Sequence, residues 1–456
     1  MKLRSSHYAR LKDRLGGWWS AQDSHILDLI RGASVAGALK ALAALLAFGL
    51  SVVLGRILGA EAAGVYFLAL TTATIAATVG RVGLDSAVLR FVAAHASAGR
   101  WADVNRVHRT ALAIGFVCSC AVASVLYLSA ELLAEKAFSD AALTTPIRVM
   151  AASVVPLSLS VLVSRSLLGL SRVRESLLVF SIVPSALALG GTWVLAAEWG
   201  VNGAVAAYVL AVIAALFYGW IAWRKATAGQ SSARQSRPAT STMRDLLKCG
   251  SPLLLGELLQ LVIHVSGTVM LGVWSDNADV GQFAVAWRTA ALIGFVLVAI
   301  NTIAQPKFAE LYARGEMKSL AATAQKATLI MTACAAPVLV VFLAAPGFVL
   351  SAFGSDFSGA IVLLQILSVG QFVNVATGSV GVLLVMSGKE LEYRNVQVVA
   401  AAVVLLLNVL LIPMYGAVGA AIAAASALIV QNVLFGYFVW VRLGILTLIP
   451  RAVVQR

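Results

Sequence analysis

Few side chains carry charge inside the long apolar segments of this 456-residue chain, and those few are the candidates for chemistry. Arg288 lies deep in one such segment, nine residues from Asp279, which corresponds to about 14 Å along a helix. An arginine at that depth is costly to bury, and its planar fork of N–H donors suits phosphate oxygens. We expect Arg288 to bind an anionic group in a water-filled cavity. A structural partnership with a carboxylate or a backbone carbonyl is the alternative.

A second set of polar side chains lies on one face of the segment 251–273. Its members recur at i, i+3, i+7 and i+11 and are Glu257, Gln260, His264 and Thr268. This spacing aligns them along one side of a helix amid apolar residues, which predicts a face turned towards a cavity. His264 could titrate or hydrogen-bond a hydroxylated ligand, and a satisfied structural histidine is equally compatible with its position.

The other candidates lie nearer the ends of apolar segments. Lys40 precedes Glu257 by 217 residues, so the two could oppose each other as a gating ion pair, although both are shallow enough to reach water. Arg165 lies near a segment end, and its long side chain could simply extend to the surface. Arg81 and Asp85 are expected to organise the charged end of the second segment.

The segments that must position these residues are membrane spans. Hydrophobic residues make up 60% of the chain, charged residues only 12%, and the mean hydropathy is +0.91, which leaves too little polar surface for a soluble globule. We predict twelve transmembrane helices near 34–54, 62–80, 110–131, 149–169, 176–197, 201–223, 251–273, 280–304, 328–350, 360–386, 396–414 and 417–441. The runs are too long and too uniformly apolar for barrel strands, so the fold class is all-α.

The net charge of +14 follows the predicted topology. All but six of the 34 Lys and Arg residues fall in the two tails and in every second loop, and the exceptions are Lys40, Arg56, Lys136, Arg148, Arg165 and Arg288. By the positive-inside rule both termini are cytoplasmic. The basic excess indicates topology and contact with anionic lipid rather than nucleic-acid binding. The basic tail 1–33 has the mixed aromatic and cationic composition of a surface-lying helix, and a disordered tail is the alternative.

The chain also repeats itself at an offset of 216 to 217 residues. Matching landmarks are Leu54-Gly55 with Leu271-Gly272, Ser171 with Ser387, and Trp199-Gly200-Val201-Asn202-Gly203 with Tyr415-Gly416-Ala417-Val418-Gly419. The repeat predicts an N-lobe at 34–223 and a C-lobe at 248–443, with a linker at 224–247 and a cytoplasmic tail at 444–456. Because each half has an even number of crossings, the halves are parallel, an arrangement suited to alternating access around a central cavity.

Enzyme motifs are missing from the sequence. It has no nucleotide-binding Gly-Lys loop, no spacing of metal ligands and no Ser/His/Asp grouping, so we expect neither catalytic residues nor a metal nor a cofactor. The sequence therefore predicts transport that is powered by an ion gradient or by the membrane potential. Outward movement of an anion across an inside-negative membrane gains about 2.3 kcal/mol per charge per 100 mV.

Two segments resemble a known superfamily. The hairpin Leu54-Gly55-Arg56-Ile57-Leu58-Gly59 with Gly64-Val65-Tyr66, and the loop Arg81-Val82-Gly83-Leu84-Asp85-Ser86 with Arg90-Phe91, are similar to parts of the multidrug/oligosaccharidyl-lipid/polysaccharide (MOP) exporters. Within that superfamily the chain resembles bacterial flippases for lipid-linked oligosaccharides. In the second half, Pro306-Lys307-Phe308-Ala309 with Leu311-Tyr312 also fits.

The resemblance implies a V-shaped, MATE-like inner-membrane transporter of two lobes. Its cargo would be an undecaprenyl-pyrophosphate-linked glycan for surface polysaccharide synthesis, with a polymerase and other export components as further partners. Spans 1, 2, 7 and 8 would line the cavity, where cationic side chains would receive the pyrophosphate. The residues expected to bind substrate are Arg288, His264, Lys40, Arg165 and Gln260, and those expected to gate or couple transport are Glu257, Asp85 and Arg81.

The main alternative is a proton- or sodium-coupled drug or cation antiporter of the same superfamily. Such a protein needs buried carboxylates, and apart from Glu257 the predicted helix interiors are nearly free of them, which favours an anionic cargo. A major-facilitator-like carrier lacks support because its basic loop motif is not evident in 82–109. The peptidoglycan-precursor flippases of the superfamily typically have two further helices, and a static scaffold would have no use for Arg288.

Overall fold

The computed structural model describes residues 24–229 and 243–447, and these residues are helical apart from short turns. Most of the predicted amphipathic tail, the centre of the predicted linker and the end of the C-terminal tail lie outside the described residues. The all-α fold class is confirmed for the described part of the chain.

Two similar series of helices follow each other along the chain. The first consists of α1 Ser24–Arg81, α2 Leu84–Ser97, α3 Trp101–Leu132, α4 Thr144–Gly169, α5 Val173–Leu177 and α6 Val183–Thr227. The second consists of α7 Met243–Trp274, α8 Asn277–Ala313, α9 Met317–Ala344, α10 Pro346–Leu350, α11 Ala360–Ala376, α12 Val380–Met386 and α13 Glu390–Leu443. Short π-helical turns Leu133–Ala137 and Leu178–Ile182 follow α3 and α5, and 3₁₀ turns occur at Ala141–Leu143 and Ser355–Phe357.

Twelve crossings can be counted among the described residues. Eight helices are long and apolar enough to cross a membrane, and α11 with α12, bent by 41°, supplies one more. Three of the eight, α1, α6 and α13, are each broken by a non-helical glycine at Gly59, Gly200 or Gly416 and therefore count twice. The apolar stretches that contain these breaks are 45 to 55 residues long, whereas about 20 residues suffice for one crossing.

The breaks in α6 and α13 are sharp reversals of the chain. A side chain at Gly203 would collide with the carbonyl oxygen of Leu195, and one at Gly419 would collide with that of Leu411. Residues eight apart in a straight helix are about 12 Å apart, so the backbone must double back between them. Gly200 has φ 55° and ψ −135°, and Gly416 has φ 53° and ψ −131°, a conformation that favours glycine. The repeat predicted from the sequence therefore recurs in the backbone.

The repeat also corrects one landmark. Ser171 has a left-handed backbone with φ 60°, and its counterpart in conformation is Gly388 with φ 68°, not Ser387. The segment from Ser171 to Gly200 in the first half is one residue longer than the segment from Gly388 to Gly416 in the second. The π-helical turn Leu178–Ile182 lies in that interval, and a π-turn accommodates one extra residue.

Several boundaries differ from the apolar runs in the sequence. Helix α1 begins at Ser24, ten residues before the predicted span, and α3 begins at Trp101 rather than near 110. Helix α2 occupies the predicted loop because it is amphipathic, with Leu84, Val88 and Val92 buried along one side. A search for uniformly apolar runs does not detect a helix of this kind.

The lobes meet where α1 and α8 cross. A side chain at Gly64 would collide with the carbonyl of Asn277, and one at Gly281 with the carbonyl of Ala60. The two contacts are exchanged by the repeat offset, so the pseudo-twofold axis that relates the halves passes through this crossing. Small residues let the two backbones approach this closely. The crossing lies at the end of the bundle opposite the basic loops, here called the far end.

Aromatic side chains cover the same end. Phe138 of the first half lies against Gly272, and Phe353 and Phe357 of the second half lie against Gly55, the residue equivalent to Gly272. Across the lobes, Asn277 Nδ2 donates to Asp140 Oδ2 at 2.6 Å. The lobes are thus closed at the far end by glycine contacts, each of which has an equivalent in the other half.

At the other end, here called the basic end, the lobes touch at fewer points. The backbones of Gly83 and Gly250 lie so close that a side chain on either would meet the other chain segment's carbonyl oxygen. Lys40 Nζ of the first half donates to Thr302 Oγ1 of the second at 2.9 Å. Between the two ends lies the cavity described below.

Wedges at these glycine contacts should bias the lobes in opposite directions. Overpacking a close contact costs about 1–3 kcal/mol, so Gly64→Leu should favour opening at the far end and Gly250→Leu opening at the basic end. Labelling of Gln260→Cys by an impermeant maleimide, with the four native cysteines replaced, reports the opening. We expect several-fold faster labelling from the far side with Gly64→Leu and from the basic side with Gly250→Leu.

The control for both wedges is Gly190→Leu, because a Cβ atom at Gly190 would have no neighbour within 4 Å. This variant should label as the parent does from both sides. Equal labelling of all three variants would contradict control of the lobe separation by these glycine contacts.

Candidate functional site

An open cavity of about 440 Å³ lies between the lobes towards the basic end. The first half contributes Thr78, Arg81, Asp85, Ser86 and Arg165, and the second contributes Gly256, Glu257, Gln260, Leu261, His264 and Tyr393. Six of the eight candidate residues named from the sequence therefore lie in one cavity. Lys40 and Arg288 do not line it.

On the N-lobe wall, Arg81 and Asp85 form a two-point ion pair. Arg81 Nε lies 2.9 Å from both Oδ1 and Oδ2 of Asp85, and Arg81 Nη2 lies 3.2 Å from Thr78 Oγ1. The left-handed turn at Gly83, with φ 70°, joins α1 to α2 and places the two side chains together. With side-chain exposures of 12% and 4%, the pair neutralises itself away from solvent.

Arg165 is the other guanidinium of this wall. It lies on α4, about one helical turn before Gly169, and the described residues provide no ion pair to it within 4 Å. Glu257, across the cavity, is close enough to interact with the charge of Arg165. Arg165 therefore keeps its fork of donors available to a ligand.

The C-lobe wall carries one carboxylate. Glu257 faces Arg81, Asp85, Arg165 and the hydroxyl of Ser86, and its buried Oε2 has no hydrogen-bond partner. The expected ion pair with Lys40 is not formed between these described residues. The repeat explains why: positions 40 and 257 are equivalent, and each reaches the opposite lobe, Lys40 at Thr302 and Glu257 at Asp85.

The remainder of this wall carries no carboxylate and no lysine or arginine. His264 Nδ1 lies 2.8 Å from the carbonyl oxygen of Gln260, which can only accept, so Nδ1 carries the proton and Nε2 is the free acceptor of the neutral ring. Gln260 Nε2 donates to the hydroxyl of Tyr393 at 3.3 Å. Tyr393 was not among the candidates named from the sequence, where its only distinguishing feature is a lone phenol at the polar start of an apolar span.

Arg288 lies apart from the cavity, and the structure corrects its expected placement. Its Cζ atom lies 4.1 Å from the centre of the Phe67 ring of the other lobe, and Nη1 lies 3.3 Å from the carbonyl oxygen of Ala284. The phenol groups of Tyr66 and Tyr208 are close enough to interact with its charge. No carboxylate among the described residues lies within ion-pair distance, so this cation is held by aromatic and phenolic groups.

The charged side chains that line the cavity are two arginines and two carboxylates. Arg81 and Arg165 face Asp85 and Glu257 inside it. The sequence-based expectation that cations dominate the cavity is not met there. Lys40 and Arg288 are two further cations that lie between the lobes outside the cavity.

Solved structures with the same architecture define the class. An inward-facing MATE family multidrug resistance transporter of the MOP superfamily is 15% identical, covers 88% of this chain and 94% of its own, and has a TM-score of 0.68. The lipid II flippase MurJ in an inward closed conformation is 12% identical, covers 89% and 87%, and has a TM-score of 0.71. A MOP superfamily transporter from Pyrococcus furiosus is 17% identical, covers 91% and 95%, and has a TM-score of 0.63. The protein thus shares the multi-pass helical fold of these structures.

The family follows from the sequence profiles. Residues 29–312, more than half of the chain, match the family described as polysaccharide biosynthesis protein, and residues 252–414 match the MatE family. The chain belongs to the polysaccharide biosynthesis protein family. An uncharacterized membrane protein of Methanocaldococcus jannaschii is 22% identical over 237 residues, which is 51% of this chain and 45% of that protein. The match thus spans less than half of that relative's length.

Separating Arg81 from Asp85 should destabilise the protein. Asp85→Asn leaves a largely buried guanidinium without its carboxylate, which costs about 3 kcal/mol, and should lower the thermal midpoint in detergent by several degrees. The double variant Arg81→Gln with Asp85→Asn should recover part of the loss because no unpaired charge remains.

The matched control is Glu310→Gln, which breaks the solvent-exposed contacts of Glu310 with Lys307 and Arg314. Surface ion pairs contribute little, so the midpoint should not change. A double variant less stable than both single variants would argue that the pair does not act as a unit.

Proposed function

We propose that the protein is a flippase that moves undecaprenyl-pyrophosphate-linked oligosaccharide repeat units across the bacterial inner membrane by alternating access. Its product would feed the synthesis of O-antigen, capsule or exopolysaccharide, with a polymerase and other export components as partners. The basic end is assigned to the cytoplasm by the positive-inside rule, so both termini are cytoplasmic and anionic lipid surrounds the basic loops.

One observation carries the proposal: between the lobes, Arg165 and Arg288 have no carboxylate within 4 Å among the described residues. A cation in such a position in a membrane protein has a high free-energy cost unless an anion binds to it. Arg165 lies in the cavity at the basic end and is accessible before the lobes rearrange. It is the group that we assign to the pyrophosphate of incoming cargo, since arginine binds phosphate oxygens at two points.

Arg288 is assigned a later role in the same cycle. In the present conformation it packs on Phe67 and does not line the cavity. When the lobes separate at the far end, this contact between lobes breaks and leaves a cation that a cargo pyrophosphate can neutralise. Opening at the far end would then be favoured by bound anion and disfavoured without it.

A cation antiporter is the second candidate, and one observation favours it. Asp85 and Glu257 both line the cavity from opposite lobes, and the buried Oε2 of Glu257 lacks a hydrogen-bond partner. A proton or sodium ion between the lobes would satisfy that oxygen. Asp85 and Glu257 could equally bind an ion whose movement is coupled to glycan-lipid export. Arg81 is paired with Asp85, and His264 lies nearby.

Translocation by proteoliposomes tests the proposal. Wild-type protein should flip a fluorescent undecaprenyl-pyrophosphate oligosaccharide, and Arg165→Gln should reduce the initial rate about tenfold or more, as expected for loss of a charge-assisted hydrogen bond. The matched control is Arg174→Gln, an exposed arginine at the same end, whose rate should stay within about twofold of wild type. Uptake of tetraphenylphosphonium against a proton or sodium gradient, without any lipid flipping, would establish the antiporter instead.

Arg288→Gln should separate binding from turnover. Because Arg288 does not line the cavity that is open at the basic end, substrate affinity measured in detergent should be unchanged, while the rate of flipping should fall about tenfold. Phe67→Leu removes only the ring under the guanidinium and serves as the companion variant. Weaker binding with Arg288→Gln at an unchanged maximal rate would place Arg288 at the loading site and contradict the assignment.

A further inference from the structure

We propose that a chain of side-chain amides in the C-lobe presents the Tyr393 hydroxyl to the cavity and makes Tyr393 and Gln260 the residues that recognise cargo sugar. The inference rests on the proposed function, which supplies a cargo with sugars. It assigns the sugar to one wall of the cavity and the pyrophosphate to the other.

The amide chain is continuous from the lobe interior to the cavity. Gln431 Nε2 donates to Gln397 Oε1 at 2.8 Å, and Gln397 Nε2 donates to the Tyr393 hydroxyl at 3.1 Å. From the cavity side, Gln260 Nε2 donates to the same hydroxyl at 3.3 Å. Gln397 is 1% exposed and Gln431 9%, so the inner end of the chain lies in the protein interior.

The two donated protons determine what the hydroxyl can offer. A phenol oxygen accepts at most two hydrogen bonds and donates one. Both acceptor positions of Tyr393 are used by amides, so its remaining capacity is its own proton. The ring is fixed by stacking on Phe435, with centroids 5.0 Å apart and planes 9° apart. Tyr393 therefore presents a donor whose direction is set before any ligand arrives.

The neighbouring groups of this wall are acceptors. Gln260 Oε1 forms no hydrogen bond to a described residue, and His264 presents Nε2 because Nδ1 is used by the Gln260 carbonyl. A row of one donor and two acceptors pairs well with hydroxyl groups, each of which donates and accepts. It pairs poorly with a pyrophosphate, whose oxygens only accept. The guanidinium groups of the opposite wall have the reverse preference.

Structural need alone does not account for the chain. At the repeat offset, Gln260 corresponds to Ala43 and Gln431 to Ala215, so the N-lobe packs the same helices with apolar residues at these positions. Burying amides costs free energy unless each is satisfied, and an apolar interior is the simpler solution. In the C-lobe the amides at these two positions belong to a hydrogen-bonded chain that reaches the cavity at Gln260 and Tyr393.

Binding in detergent tests the inference with three probes. The first is undecaprenyl pyrophosphate, and the others carry one glucose or one N-acetylglucosamine on the pyrophosphate. For wild type we expect at least one sugar-bearing lipid to bind about tenfold more tightly than the bare lipid. Tyr393→Phe keeps the stacked ring and should bring the affinity ratio close to one, with the affinity for the bare lipid unchanged.

Two further variants complete the design. Gln397→Met removes one of the two amide donors and should lower the ratio partially, as expected for a positioning residue. Tyr415→Phe is the control, because Tyr415 is an exposed tyrosine at the far end, and its ratio should equal that of wild type. Thermal midpoints measured alongside show whether each variant is folded.

The outcomes separate the two claims. Equal loss of affinity for all three lipids in Tyr393→Phe, or equal binding of the three lipids by wild type, would overturn sugar recognition by this wall. If the affinity ratio depends on Tyr393 but the protein flips none of these lipids in proteoliposomes, sugar recognition by this wall is supported and the proposed flippase function is overturned. Failure of wild type to bind any of the three would overturn both.

Discussion

The two lobes touch through backbone at places where side chains are missing, and the rest of the architecture depends on these approaches. Gly64 and Gly281 meet the opposite lobe at the far end, and Gly83 and Gly250 meet each other at the basic end. Interlocked side chains would have to leave a packed interior before the lobes could part. The contact of Gly83 with Gly250 can separate without unpacking such side chains, whereas the far end is also closed by packed aromatic rings, so opening at the basic end needs the smaller rearrangement.

The membrane sets the second constraint, which is where charge can lie. An ionisable side chain facing lipid is costly, so in the part of the chain that the structure describes the deep charges gather between the lobes. Arg81 is neutralised by Asp85, whereas Arg165 and Arg288 are not neutralised by any carboxylate at contact distance. The cost of leaving them unpaired is the physical reason to expect an anion at this interface rather than an arrangement of purely structural ion pairs.

Sequence was sufficient for features that depend on local chemistry. The reversals at Gly200 and Gly416 and the polar face of α7 follow from glycine positions and helical spacing. Features that depend on how the lobes approach each other were not accessible. The depth of Arg288 along its helix correctly predicts that it lies far from either end. It does not predict the contact with Phe67, a residue more than 200 positions away. The hydrogen bond between Gln260 and Tyr393 was missed for the same reason, because it joins two separate spans.

The differences between the halves indicate where recognition must reside. The same backbone conformations recur at equivalent positions of the repeat, as at Gly99 and Gly315, because each lobe needs the same turns to fold. Several polar side chains between the lobes differ at equivalent positions: Arg288 corresponds to Thr71, and Glu257 to Lys40. A ligand with a charged end and a hydroxylated end has no twofold symmetry, and a symmetric cavity would bind it equally well in two opposite orientations. Divergence of the side chains on a shared backbone removes that ambiguity for a ligand of the kind proposed above.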